Sequence, residues 1–154
     1  MITLPSASQV ALEIRRELLE QIGPELTSER ARVSLEMIEN CLRNLAVRAE
    51  HEIAWMREEC DAIEALATAV AEALDDAAVR DALAAYRDGR TTSLHVADVQ
   101  RDYDRAGEAL SCTAEALARS DDHPQLRARL AEVFATRQAH ELEIMGEFAF
   151  VGRG

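Results

Sequence analysis

The chain has 154 residues, of which 48% are hydrophobic, and a formal net charge of −12 at pH 7. Because an acidic surface repels phosphate groups, neither nucleic acid nor an anionic membrane surface is an expected partner. The first residues, MITLPSASQV, lack the basic and apolar regions of a signal peptide, and no apolar run approaches the roughly 18 residues that a membrane span needs. We therefore expect a cytoplasmic protein without membrane segments.

The composition predicts an all-α fold. Only three prolines and six glycines interrupt a chain rich in Ala, Leu, Glu and Arg, which are residues that lose little conformational freedom in a helix. A chain of this length fits one domain, so we predict a single helical bundle over residues 1–154, with five or six helices and one long central helix.

The first predicted helix covers residues 6–22. Ser6 stands three residues before Gln9, which is the spacing of a capping box, in which each side chain bonds to the backbone N–H of the other residue. Gly23 and Pro24 then end the helix, because glycine suits the residue after a helix and proline cannot continue it.

The longest predicted helix begins after Thr27 or Ser28 and runs to Asp76 without glycine or proline. Apolar side chains recur along it in steps of three and four, as on one face of a helix. They are Leu35, Ile38, Leu42, Leu45, Ala49, Ile53, Met56, Cys60, Ile63, Ala67, Val70 and Leu74. The pattern allows one continuous helix or a break near residues 59–61. A continuous helix would outrun a compact domain of this size and would imply a partner chain along it.

Two shorter helices are predicted next. One begins at Asp75 or Asp76 and ends at Gly89, and the loop RTTSL follows. The other has a narrow apolar seam with alternating steps of three and four, which is typical of packing against one or two neighbours. The seam consists of Val96, Val99, Tyr103, Ala106, Leu110, Thr113 and Leu117.

A last helix is predicted over about 124–147, within an additional C-terminal segment of residues 119–154. Asp122 or His123 is its expected cap, and Pro124 falls in the first turn, where its missing N–H has no cost. The helix ends in the segment EFAFVGRG.

The three cysteines are predicted to be reduced, buried thiols. Cys41, Cys60 and Cys112 are far apart, odd in number and at helical positions that are typical of a core, and no CxxC pair occurs.

No catalytic, cofactor-binding or metal-binding residues are predicted. Helical di-iron sites need a glutamate three residues before a histidine, and none of the four histidines has one. No His-x-x-x-His pair, Gly-rich phosphate loop or Gly-flanked serine occurs either. His140 and Glu143 have helical spacing, and we interpret them as a solvated surface pair. We therefore expect a chain that is not an enzyme by itself.

One stretch of the long helix is a candidate partner-binding patch. Val47, His51 and Trp55 form a second apolar stripe, so the helix is apolar on two sides. One interpretation is a central helix packed on both sides, with His51 at the rim. The other is a docking patch, since Trp and Arg are enriched at binding hot spots. The predicted partner-binding residues are Arg48, His51, Glu52 and Trp55.

Residues 4–90 resemble a small helical domain of unknown function that occurs beside, or fused to, aminoglycoside-phosphotransferase-like kinases. The resemblance lies in LPSASQVALEIRRELLEQIGPELTSERARVSLEMIENCLRNLAVRAE and in LAAYRDG. The matching positions are Pro5, Leu12, Leu18, Leu19, Leu26, Arg32, Val33, Asn40, Leu42, Leu83, Arg87 and Gly89. The Asn-Pro ending that such domains often show has no counterpart in this chain.

The resemblance implies a non-catalytic accessory subunit that stabilises or activates a small-molecule kinase, which itself carries the nucleotide site. The alternative is a helical bundle that binds a small ligand or a metal between its helices. The long helix and the narrow seam expose more apolar surface than a short bundle needs, so we also expect a homodimer when the partner is absent.

Overall fold

The computed structural model describes residues 4–146 and confirms the all-α prediction with one long central helix. Five α-helices follow one another: α1 (Ala7–Glu17), α2 (Glu29–Leu74), α3 (Ala77–Gly89), α4 (Val96–Arg119) and α5 (Pro124–Met145). No strand occurs within residues 4–146. Among these residues, no helix has the length and apolar character needed to cross a bilayer. The predicted ending EFAFVGRG lies outside the described residues.

Helix α1 begins with the predicted capping box. The Ser6 hydroxyl accepts from the Gln9 N–H at 3.2 Å, and the Gln9 side chain accepts from the Ser6 N–H at 2.8 Å. The α-helix ends at Glu17, earlier than predicted, and a π-helical turn continues it over Leu18–Ile22. A Cβ at Gly23 would lie 3.1 Å from the Leu35 Cδ2 atom, so a larger residue at this position would require the Leu35 side chain to shift by a few tenths of an ångström.

Helix α2 is continuous from Glu29 to Leu74, without the break considered at residues 59–61. Its neighbour α3 begins as predicted, because the Asp76 carboxylate accepts from the N–H groups of Ala78 and Val79. These bonds satisfy two of the donors that a helix start leaves without partners.

The residues group into two compact units. The first contains residues 1–52 and 140–154, and the second contains residues 53–139. The prediction of a single domain over residues 1–154, with a family-like part over 4–90, stays a prediction.

The second unit holds most of the buried apolar side chains. In it, α3, α4 and the neighbouring parts of α2 and α5 contribute to one cluster. Its largest fully buried side chains include Tyr86, Ile63, Leu66, Leu117 and Val70. On α4 the buried face differs from the predicted seam, since Val96 is 52% exposed and Tyr103 is half-buried. Asp102 lies on the buried face.

Asp102 is a carboxylate with 1% exposure, and it connects α4 to α2 and to the α3–α4 loop. Its Oδ2 atom accepts from Arg57 Nη1 at 2.6 Å and from the Thr91 N–H at 3.1 Å. Arg57 also donates from Nη2 to the Ser93 carbonyl at 2.6 Å. The ion pair therefore fixes a loop that has no helix or strand of its own.

We expect Asp102→Ala to destabilise the protein by about 3–5 kcal/mol, because the change leaves the Arg57 charge enclosed without its carboxylate. Urea denaturation of the full chain measures the change. Asp104→Ala is the matched control on the same helix, because this aspartate is exposed and a surface change shifts stability by only about 0.5 kcal/mol. Equal losses of stability for the two variants would contradict a stabilising role for the ion pair between Asp102 and Arg57.

The first unit is held by fewer buried groups. The α1 side chains of Ser8 and Arg15 contact Glu50 and Glu39 of α2, so the two segments run antiparallel. Arg43 donates to the Met145 carbonyl at 2.6 Å and so holds the end of α5. Within this unit, Ala11 and Ala46 are the hydrophobic residues that are fully enclosed among those described. Many of the larger apolar side chains of this unit are therefore exposed to solvent.

Candidate interaction surface

The first unit exposes a large number of aliphatic side chains. Eleven of them are between 37% and 54% exposed: Val10, Leu12, Ile14, Leu19, Ile22, Val33, Met37, Ile38, Leu45, Leu142 and Met145. Single exposed apolar residues are normal on a protein surface, but a large exposed apolar area is typical of interaction sites. This concentration identifies the first unit as the candidate interaction surface.

Part of this surface is a groove between the π-helical turn that follows α1 and the beginning of α2. It has a volume of about 420 Å³. Its apolar lining consists of Leu18, Ile22, Leu26, Ala31, Leu35 and Ile38, and its polar lining of Ser28, Arg30 and Ser34. With one charged side chain and two hydroxyls, the groove has no arrangement of groups for acid–base or nucleophilic chemistry.

A narrow stripe on α2, which we call the α2 seam, continues from this groove. Ile38, Cys41 and Leu45 form its apolar centre, with steps of three and four residues, and all three are exposed. Arg30 and Ser34 precede this centre on the same face of the helix, and Arg48 and Glu52 follow it. The seam thus has an apolar centre and charged ends.

The structure brings together two of the four residues predicted to bind a partner. Arg48 is exposed, and its Nε lies 3.4 Å from the Glu52 Oε1 atom one helical turn later. Because this pair is open to solvent, it contributes little to stability and leaves its charges available to a partner. His51 is half-buried in the first unit. Partner binding by these residues stays a prediction.

Trp55, the fourth predicted residue, belongs to the second unit and is half-buried. It is not among the enclosed core residues, so the indole is neither a core side chain nor a fully exposed anchor. Val47, His51 and Trp55 of the predicted second stripe are all half-buried, and their spacing of four residues does not by itself define the depth of the indole.

The second unit contains a polar group that the sequence analysis missed. Glu59 is buried, and its Oε2 atom accepts from the Tyr103 hydroxyl at 2.5 Å and lies 3.3 Å from Arg137 Nε. Burial, followed by the bond to Glu59, raises the pKa of Tyr103 to about 12. The available signal was a tyrosine in the apolar seam of α4, because its hydroxyl needs a partner when the ring is buried.

This polar group borders a groove of about 300 Å³ between α2 and α5. The groove lining combines the apolar Ala62, Ala65, Leu66 and Val133 with Glu58, Glu59, Arg129, Glu132 and Thr136. Since Glu59 already pairs with Tyr103 and Arg137, the group serves to join α2, α4 and α5. We assign it a structural role.

A metal centre has no support in the part of the chain that the structure describes. Between residues 4 and 146, no group of three or more His, Cys, Asp or Glu side chains is placed to hold a metal ion. His140 is half-buried and Glu143 is exposed, and the interpretation of these two residues as a surface pair stays a prediction.

The cysteine prediction is correct for Cys60 and wrong for Cys41. All three thiols are free; Cys60 is buried, Cys112 is half-buried and Cys41 is exposed. Burial raises the pKa of Cys60 to about 11. The helical position of Cys41 is apolar in pattern, but this face of α2 is not covered within the first unit.

We expect a thiol reagent at pH 8 to label Cys41 rapidly in the folded monomer, at high dilution of the protein, and Cys60 only after denaturation. Cys60 is enclosed, and with a pKa of about 11 only about one thiol in a thousand is ionised at pH 8. Mass spectrometry of digested protein assigns the labels, and Cys41→Ser is the control. Labelling of Cys60 as fast as Cys41 would contradict this placement.

No protein-family model, curated protein or solved structure matches the chain. The function must therefore be inferred from the residues of the chain itself. They provide an apolar surface with charged ends on the first unit and structural polar groups in the second.

Proposed function

We propose that the chain is a non-catalytic accessory subunit that stabilises or activates an aminoglycoside-phosphotransferase-like small-molecule kinase. The observation that carries this proposal is the concentration of exposed aliphatic side chains on the first unit. Leaving apolar area in water costs about 25 cal/mol per Å², so a surface of this kind is stabilised when another protein covers it.

The partner class comes from the resemblance of residues 4–90 to kinase-associated helical domains. Several positions that carry this resemblance, such as Leu12, Leu19 and Val33, are exposed on the first unit. Exposed aliphatic side chains make little contribution to a core, so contact with a partner is a physical reason for them at these positions. In this proposal the kinase supplies the nucleotide site and the chain supplies the docking surface.

The proposal includes a homodimer when the kinase is absent, because a second copy of the chain can then bury the same apolar surface. It also includes the cytoplasmic location expected from the sequence. Binding of a small ligand or metal between the helices is not proposed, since no group of metal-ligating side chains occurs within residues 4–146 and no observation on the two grooves favours a ligand.

Co-purification tests the proposal directly. A tagged full-length chain is expected to retain a phosphotransferase-like kinase encoded by a neighbouring gene, and to raise the melting temperature or the turnover of that kinase. The chain alone is expected to show no phosphotransfer. Phosphotransfer by the chain in isolation, or the absence of any effect on the kinase, would refute the proposal.

We expect Arg48→Ala to weaken kinase binding by about 1–2 kcal/mol, because the change removes a charge from the rim of the docking surface. Arg101→Ala is the matched control. Both arginines are exposed and each pairs with a nearby carboxylate on its own helix, but Arg101 belongs to the second unit. Titration of the kinase with each variant measures the difference, and an equal effect of the two changes would remove Arg48 from the site.

Trp55→Ala distinguishes docking from packing at the indole. If Trp55 binds the kinase, the change should cost about 2 kcal/mol or more in binding and leave the melting temperature nearly unchanged. Because the indole is half-buried, its loss should leave a smaller cavity than the loss of a core tryptophan, which costs about 3–5 kcal/mol. Melting curves recorded beside the binding titration separate the two roles.

A further inference from the structure

We infer that the α2 seam is the self-association surface of this protein, and that two copies pair along it antiparallel, with a two-fold axis at Cys41. This inference rests on the homodimer of the proposed function and adds the face, the orientation and the centre of the dimer. The occupant of the seam is therefore a second copy of this chain.

The apolar centre of the seam suits helix–helix packing. Ile38 and Leu45 are separated by seven residues, with Cys41 between them, which is the heptad spacing at which side chains of one helix fit between those of another. Ile38 is 49% and Leu45 is 54% exposed, so both are accessible to a second helix. A second copy of the seam offers the same apolar centre in return.

The charged residues at the two ends of the α2 seam favour the antiparallel orientation of the two copies. Arg30 and Glu52 lie at equal distances in sequence from Cys41, eleven positions before and after it. In an antiparallel pair centred on Cys41, Arg30 of each copy therefore faces Glu52 of the other copy, and this favourable contact occurs twice. A parallel pair would instead bring Arg30 close to Arg30 and Glu52 close to Glu52, and such like-charge contacts are unfavourable.

The side chains at these ends are accessible for such contacts. Arg30 is exposed and forms no ion pair with the residues that the structure describes. Glu52 has Arg48 at 3.4 Å, in a partly exposed pair that a second arginine can join. The next position along the stripe, Met56, is buried in the second unit. The exposed stripe therefore ends near Glu52, and Cys41 lies at its middle.

The inference makes self-association and kinase binding compete for Arg48 and Glu52. This competition agrees with a homodimer that forms when the kinase is absent, because either the kinase or a second copy of the chain can bury the same apolar surface.

Two glutamate substitutions test the face. Leu45 and Val33 are both 54% exposed on the same helix of the first unit, but only Leu45 lies on the seam. We expect Leu45→Glu to raise the dissociation constant of the dimer at least about 30-fold, towards a species of 17.0 kDa, because it inserts charge into the apolar centre. Val33→Glu should leave the dimer intact. Sedimentation velocity of the full-length variants measures both, and circular dichroism checks that they fold.

Cysteine crosslinking tests the orientation and does not depend on the glutamate variants. In a Cys41→Ser background, one chain carries Arg30→Cys and another carries Glu52→Cys. After mixing and mild oxidation, the antiparallel pair predicts a crosslink between the two different chains. A crosslink between two Arg30→Cys chains would overturn the orientation. The Cys41→Ser chain alone reports any background from Cys60 and Cys112.

The outcomes separate this inference from the proposed function. A wild-type chain that remains at 17.0 kDa at every concentration would overturn the dimer, while kinase co-purification would still decide the accessory role. A dimer that Val33→Glu disrupts and Leu45→Glu does not would overturn the seam and leave the homodimer standing.

Discussion

The burial of apolar side chains along helix α2 is the constraint on which the rest of the structure depends. From Met56 to Val70 this helix belongs to the second unit, where α3, α4 and α5 supply neighbours and its inward side chains are enclosed. From Val33 to Leu45 it belongs to the first unit, where several of its aliphatic side chains stay open to solvent. The first situation gives a stable core, and the second leaves apolar area in contact with water.

The two units also differ in how deeply their paired charged side chains are buried. In the second unit, Asp102 and Glu59 are buried, and Arg57 and Arg137 neutralise them. A buried carboxylate without such a partner would be strongly unfavourable, so these pairs define which helices meet and where the α3–α4 loop lies. The ion pair on the exposed seam of the first unit, between Arg48 and Glu52, is open to solvent. Its charges contribute little to stability and are suited to recognition.

These differences assign separate tasks to the two units in the proposed accessory subunit. The second unit provides a well-packed framework, and its polar groups are used in holding helices together. The first unit presents exposed aliphatic side chains, an apolar groove and the α2 seam. In this proposed role, the specificity of partner binding would come from the charges around an apolar centre.

The sequence by itself determined the helical class and several helix starts, because caps and breakers act within a few residues, but it left the end of α1 and the continuity of α2 open. The Ser6–Gln9 capping box, the Asp76 cap and the start of α5 at Pro124 were all readable from local chemistry. Periodicity also located the apolar faces, but not their depth. Cys41 and Val96 had the pattern of core residues and are exposed, whereas Asp102 is charged and buried. Only the tertiary structure decided these positions, because burial depends on which distant segments cover a face and on whether a charge finds its partner.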